Sequence, residues 1–148
     1  MPASAPLHMG VRMDPQPRRG AWLTVCAVAF LLLAVSNGLK PLQLGGDNTG
    51  FVLFGTRLTG APNNIVGPLF GIFLPIYAYG IWTMRRYALA MGHAYATYVI
   101  VNLILWQLND PNERTAGYVL FGLAYAAVAV GISLGAAVAL TRRKAELR

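Results

Sequence analysis

Apolar residues in this chain gather into four long runs, with none of the strict alternation of a half-buried strand. Residues 20–39, 58–84, 87–109 and 115–141 contain no Asp, Glu, Lys or Arg. At about 1.5 Å of rise per helical residue, each run is long enough to cross a hydrocarbon layer of about 30 Å. The pattern predicts spans over 21–38, 63–84, 88–108 and 116–140. The expected fold class is therefore all-α: a polytopic integral membrane protein whose four transmembrane helices form a bundle.

The segments between the runs are expected to lie outside the membrane. Residues 1–20 are polar and spaced by Pro2, Pro6, Pro15 and Pro17, which predicts a disordered cytoplasmic tail. Residues 39–62 form a long external loop, whose apolar quartet Phe51-Val52-Leu53-Phe54 is too short to span. It is expected to lie at the membrane interface, as a turn of helix or a strand-like segment. Residues 141–148 form a basic cytoplasmic tail. The first run, flanked by Arg18 and Arg19 and containing Ala34-Val35-Ser36, also has the shape of a cleavable secretory signal. The spans that follow it favour a retained helix.

Charge sets the orientation. Arg18, Arg19, Arg85, Arg86, Arg142, Arg143 and Lys144 all fall on one side of the four runs, whereas Lys40, Arg57 and Arg114 are the basic residues of the other. The whole net charge of +7 belongs to the first side. Under the positive-inside rule this predicts both termini in the cytoplasm. Trp22 and Trp82 at one end, and Trp106 at the other, fall where indoles favour the interface. The basic excess thus reflects insertion and attraction to anionic headgroups, and no nucleic-acid partner is expected. A bacterial inner membrane is the expected location.

Composition agrees, with 56% hydrophobic and 11% charged residues, too few charges to cover a soluble surface. The single cysteine, Cys26, rules out an intramolecular disulfide or a thiolate metal cluster. No metal site and no cofactor are expected. His93 is the sole histidine near a span, which excludes ligation of haem by two histidines of one chain.

Within the runs, small residues recur at every fourth position: Gly67 and Gly71 in the second, Gly92 with Ala88 and Ala96 in the third, and Ala127, Gly131, Gly135 and Ala139 in the fourth. Such faces let helices approach closely. They predict packing within the chain, with a homo-oligomer or a larger membrane complex as the alternative. Pro75, deep in the second run, predicts a kink, because proline removes a donor and crowds the preceding turn. Asn63 or Asn64 is expected to cap this helix. The echo between 50–55 and 117–122 reflects shared Gly, Leu, Val and Phe content, not a repeat.

The third run is the most polar. Tyr95, Tyr98, Asn102 and Trp106 fall on one helix face, and Tyr125 of the fourth run is expected to join them, as are Tyr77, Tyr79 and Tyr118. No run contains an ionised side chain, which argues against proton- or ion-coupled transport and against acid–base catalysis inside the membrane. The expected function is a non-catalytic accessory or scaffold subunit that packs on membrane partners or lipid. The alternative is a small-molecule or lipid carrier with a pocket at Tyr95, Tyr98, Asn102 and Tyr125. An enzyme on a lipidic substrate, using His93 or the carboxylates of the external loops, is the third reading.

Overall fold

The computed structural model describes residues 19–42, 50–109 and 116–148, with the side chains at 116–118 and 121 excepted. The tail expected over 1–20, except for Arg19 and Gly20, lies outside these residues. So do Arg18, the loop acids Asp47, Asp110 and Glu113, and the side chain of Tyr118.

Four helices account for most of the described chain: α1 (Gly20–Leu39), α2 (Gly60–Trp82), α3 (Arg86–Asn109) and α4 (Ala116–Arg142). All four are long and apolar enough to cross a membrane. Their outward faces are apolar, with Leu32, Ile72 and Leu120 68%, 61% and 71% exposed. A water-soluble domain rarely leaves such large apolar patches uncovered.

α2 starts at Gly60, earlier than the apolar pattern alone implies, because Gly60 adopts φ +59° and Pro62 occupies the first turn, where no N–H is required. It continues unbroken through Pro68 and Pro75. Thr59 at its start supplies no side-chain cap, and Asn63 lies inside the helix. The capping role expected of Asn63 is therefore replaced by a long-range one, described below.

At its other end α2 closes with a Schellman-type turn: Arg85 N–H donates to the Gly80 carbonyl at 2.8 Å and Met84 N–H to that of Ile81 at 3.2 Å. Met84 takes the left-handed position, φ +54°, usually given to glycine. Its side chain is buried, 1% exposed, so packing offsets a backbone cost of about 1–2 kcal/mol.

The C-terminal residues dock onto this turn. A 3₁₀ turn over Lys144–Glu146 brings Leu147 into the core. Arg148 N–H donates to the Met84 carbonyl and Arg86 N–H donates to that of Arg148, both at 2.8 Å. The second bond satisfies a donor that the first turn of α3 would otherwise leave open. The expected basic tail is thus partly structural.

Packing is uneven along the molecule. α1 and α2 lie together over most of their length, and the glycines permit it. A Cβ built on Gly67 would lie 3.1 Å from the Asn37 carbonyl oxygen, and one on Gly71 3.2 Å from the Gly38 Cα. Gly92 of α3 receives the ring end of Tyr77, and Gly135 of α4 the indole of Trp22. Gly131 has nothing within 4 Å, and Ala127 is exposed. The small residues of α4 therefore divide, with Gly135 and Ala139 packed inward while Ala127 and Gly131 look out.

Every buried described residue of α4 lies at Ser133 or later, and none of α3 lies beyond Val99. The end that carries Arg85 and Arg86 is a closed core, built on Leu23, Cys26, Ile81, Ala88, Ala136 and Leu140. Toward the opposite end, α3 and α4 lose their buried contacts with the rest.

Candidate functional site: an aromatic cavity under a β-hairpin

That opposite end is bridged by a hairpin. β1 (Val52–Leu53) pairs antiparallel with β2 (Thr56–Arg57) across the turn Phe54-Gly55. Both turn residues have positive φ, 47° and 75°, as a two-residue type I′ connection requires. The first position normally takes Asn, Asp or Gly, so Phe54 hides the turn from a sequence reading.

Three side chains anchor the hairpin. Phe51 N–H donates to Asn63 Oδ1 at 2.8 Å, tying it to α2. Tyr98 donates from its hydroxyl to the Val52 carbonyl at 2.9 Å, and Gly55 N–H donates to Asn102 Oδ1 at 3.0 Å. Both of these bonds reach α3. Asn63 is fully buried and also donates to the Lys40 carbonyl at 3.5 Å. Gly55 lies so close to the Leu105 backbone that no side chain fits there.

Beneath the hairpin is a cavity of about 600 Å³, within the usual small-molecule range of about 300–1,000 Å³. α1 contributes Phe30, Leu33 and Asn37; α2 contributes Phe70; α4 contributes Tyr125, Val128 and Ile132. α3 supplies Tyr95, Tyr98, Asn102, Trp106 and Gln107. The four residues singled out as a candidate pocket, Tyr95, Tyr98, Asn102 and Tyr125, thus line one cavity.

They are not equivalent. Tyr98 and Asn102 commit a polar atom each to the hairpin. Tyr95 is 8% exposed, and its hydroxyl makes no hydrogen bond with a described residue. Tyr125 likewise keeps its hydroxyl unengaged among the described residues, although the residue is exposed.

An aromatic ladder forms the wall. Phe51 and Phe70 have ring centroids 4.7 Å apart, Phe70 and Tyr98 5.0 Å, and Phe30 and Tyr95 5.5 Å in an edge-on contact. Such tilted and edge-on pairs suit the ring quadrupole and make the wall stiff. Two cations stand at the mouth: Lys40 Nζ lies 4.7 Å from the Phe51 ring centroid, and the Arg57 guanidinium 5.3 Å from that of Trp106.

The remaining expectations resolve differently. Tyr77 does not join the cavity; it is fully buried in the core, its ring against Phe30. Tyr79 is exposed on the outer surface. His93 is exposed at the closed end, with Nε2 3.0 Å from the Thr141 hydroxyl. His93 is two residues from Tyr95 but points to the other side of α3, toward Thr141, and is not among the residues that line the cavity. Among the described residues, no three of His, Cys, Asp and Glu come together.

The fold and cavity define a helical protein with four membrane-length helices and an aromatic, hairpin-covered chamber. Compared with family models, curated proteins and solved structures, the chain matches none.

Proposed function

We propose that this is a multi-pass membrane protein whose four spans form a bundle with both termini cytoplasmic, and that its chamber binds a membrane-soluble small molecule or lipid. A bacterial inner membrane is the proposed setting. The observation that carries the binding role is the chamber itself: apolar and aromatic walls with a few convergent polar groups, at the end where α3 and α4 part from the core. Walls of that kind are the usual makeup of a small-molecule site. The charge-free interior favours binding or presentation over ion-coupled transport or acid–base catalysis. Orientation is supported by Arg19, Arg85, Arg86, Arg142, Arg143, Lys144 and Arg148 at the closed end, with Glu146 the sole described acid beside them.

Purification in mild detergent followed by mass spectrometry tests the binding role. The wild-type protein should carry a discrete ligand at fixed stoichiometry. Ala129→Trp, which fills the chamber from α4, should lose that ligand while keeping the helical circular-dichroism spectrum. Equal ligand content in the two proteins would refute the binding role.

A second reading keeps the protein as an accessory subunit, on a homo-oligomer or a larger membrane complex. The open surface at Ala127 and Gly131 favours it, because a smooth small-residue face suits a partner helix. Co-purification of a membrane protein at fixed stoichiometry, lost in Gly131→Leu, is its signature.

A further inference from the structure

We infer that the chamber takes a neutral ring lipid of the quinone class, with the Tyr95 hydroxyl donating to a ring carbonyl and the chain leaving sideways into the membrane. This inference rests on the binding role proposed above and names the class of ligand.

Vacant hydrogen-bonding groups are the first argument. Tyr98 and Asn102 are committed to the hairpin, whereas Tyr95 is not. Asn37 of α1, 4% exposed, is the same case. Its side-chain amide, like the Tyr95 hydroxyl, bonds to no described residue, and both residues line the chamber. Each can donate a hydrogen, and a buried polar group is seldom left without a partner. A carbonyl supplies the acceptor. Neither donor is charged, so the ligand needs no charge to meet them.

The walls are the second argument. The Tyr95 ring centroid lies 5.5 Å from that of Phe30 and 6.2 Å from that of Tyr98, which in turn lies 5.0 Å from that of Phe70. All four rings line the chamber. A flat ring meets them through the same tilted and edge-on contacts that they make with one another. About 600 Å³ admits a substituted ring and the first part of its chain. With one carbonyl at Tyr95, the opposite carbonyl faces the hairpin end. Asn37 stands in that direction, two turns beyond Phe30 on the same face of α1.

Access is the third. α1 meets α4 near the closed end, where Trp22 packs on Gly135 and the Cys26 thiol lies 3.9 Å from the Ile132 carbonyl. Further along α4, Tyr125 and Val128 line the chamber and are also exposed. Both lie within the apolar run of α4, so the opening beside them is at the depth of lipid chains. The chain of a quinone lipid is attached beside a carbonyl, off the axis that joins the two carbonyls. A side opening suits that attachment.

The test is calorimetric titration of the full chain in mild detergent with decylubiquinone and, separately, with decylbenzene, which has a ring and the same chain but no carbonyl. The quinone should bind saturably and more tightly than decylbenzene. Tyr95→Phe keeps the ring and removes the donor. It should weaken the quinone about fivefold, as loss of one hydrogen bond implies, and leave decylbenzene unchanged. Equal affinity for the two compounds, or an unchanged quinone affinity in Tyr95→Phe, would overturn the carbonyl-bearing ligand and leave the binding role standing. Binding of neither compound, by a protein that still purifies with a ligand lost in Ala129→Trp, would likewise overturn this inference alone. Binding of neither, with no co-purified ligand, would remove the binding role as well.

Discussion

A Cβ placed on Gly92 would lie 2.6 Å from the Tyr77 hydroxyl oxygen. The Tyr77 ring is fully buried between α1 and α3, so it cannot swing aside. Its hydroxyl has no hydrogen-bond partner among the described residues. Gly92→Ala should therefore destabilise the protein by about 1–3 kcal/mol through overpacking. Tyr77→Phe removes both the obstruction and an unsatisfied hydroxyl, so alone it should be neutral or stabilising. The double variant should recover most of the loss. Thermal unfolding in detergent measures all three, and additive losses would show that the two residues do not oppose each other.

Asn63 holds the hairpin to α2 from inside the helix. Asn63→Ala leaves the Phe51 N–H without its acceptor, at a cost of about 1–3 kcal/mol for a buried donor. Amide exchange over 50–58 should accelerate, while exchange over 81–88 at the closed end stays slow. Tyr98→Phe should have a smaller effect of the same kind, because it removes one hydrogen bond and keeps the ring in the aromatic wall. Uniform acceleration across both ends would mean that the hairpin and the core open together.

Phe54 occupies a left-handed position with its side chain 56% exposed. Phe54→Asn suits the type I′ turn and should stabilise the hairpin by up to about 1 kcal/mol, less whatever its edge-on contact with Tyr98 contributes. Slower exchange of the Leu58 amide, which donates to the Phe51 carbonyl, is the expected readout. Faster exchange would show that the ring contact outweighs backbone strain.

Leu147 is 4% exposed against the Met84 turn. Leu147→Ala should cost about 2–4 kcal/mol, the usual range for truncating a buried leucine. A shift in melting temperature as small as that of an exposed position such as Leu108→Ala would contradict the docked C-terminus.

Orientation has a direct test. Cys26 is buried, so the native thiol should resist a membrane-impermeant maleimide. In intact cells Thr56→Cys should label, whereas Glu146→Cys should label only after permeabilisation. The reverse pattern would invert the proposed topology.

Much of the architecture is legible in the chain because the membrane-length helices are encoded locally. A run without ionised groups is detected one residue at a time, and the arginines beside it declare its end. The shared face of Tyr95, Tyr98, Asn102 and Trp106 was equally readable, since helical geometry alone aligns those positions. The partners of those side chains were not. Tyr98 bonds to Val52 and Asn102 to Gly55, contacts between segments remote in sequence. Nothing local to either segment specifies them, and Phe54 masks the turn that makes them reachable.

Helical segments, basic ends and shared helix faces can be read from the chain, because helical periodicity and charge act over a few neighbours. Tertiary structure alone decided that α3 and α4 part from the core, that a hairpin bridges the gap, and that Tyr77 turns inward while Tyr95 meets a cavity. Those outcomes depend on how four apolar surfaces of similar composition divide contact among themselves. Gly92, Gly131 and Gly135 are identical locally, yet Tyr77 packs onto the first and Trp22 onto the third while nothing reaches the second, so the partner and not the glycine chooses between close packing and open space.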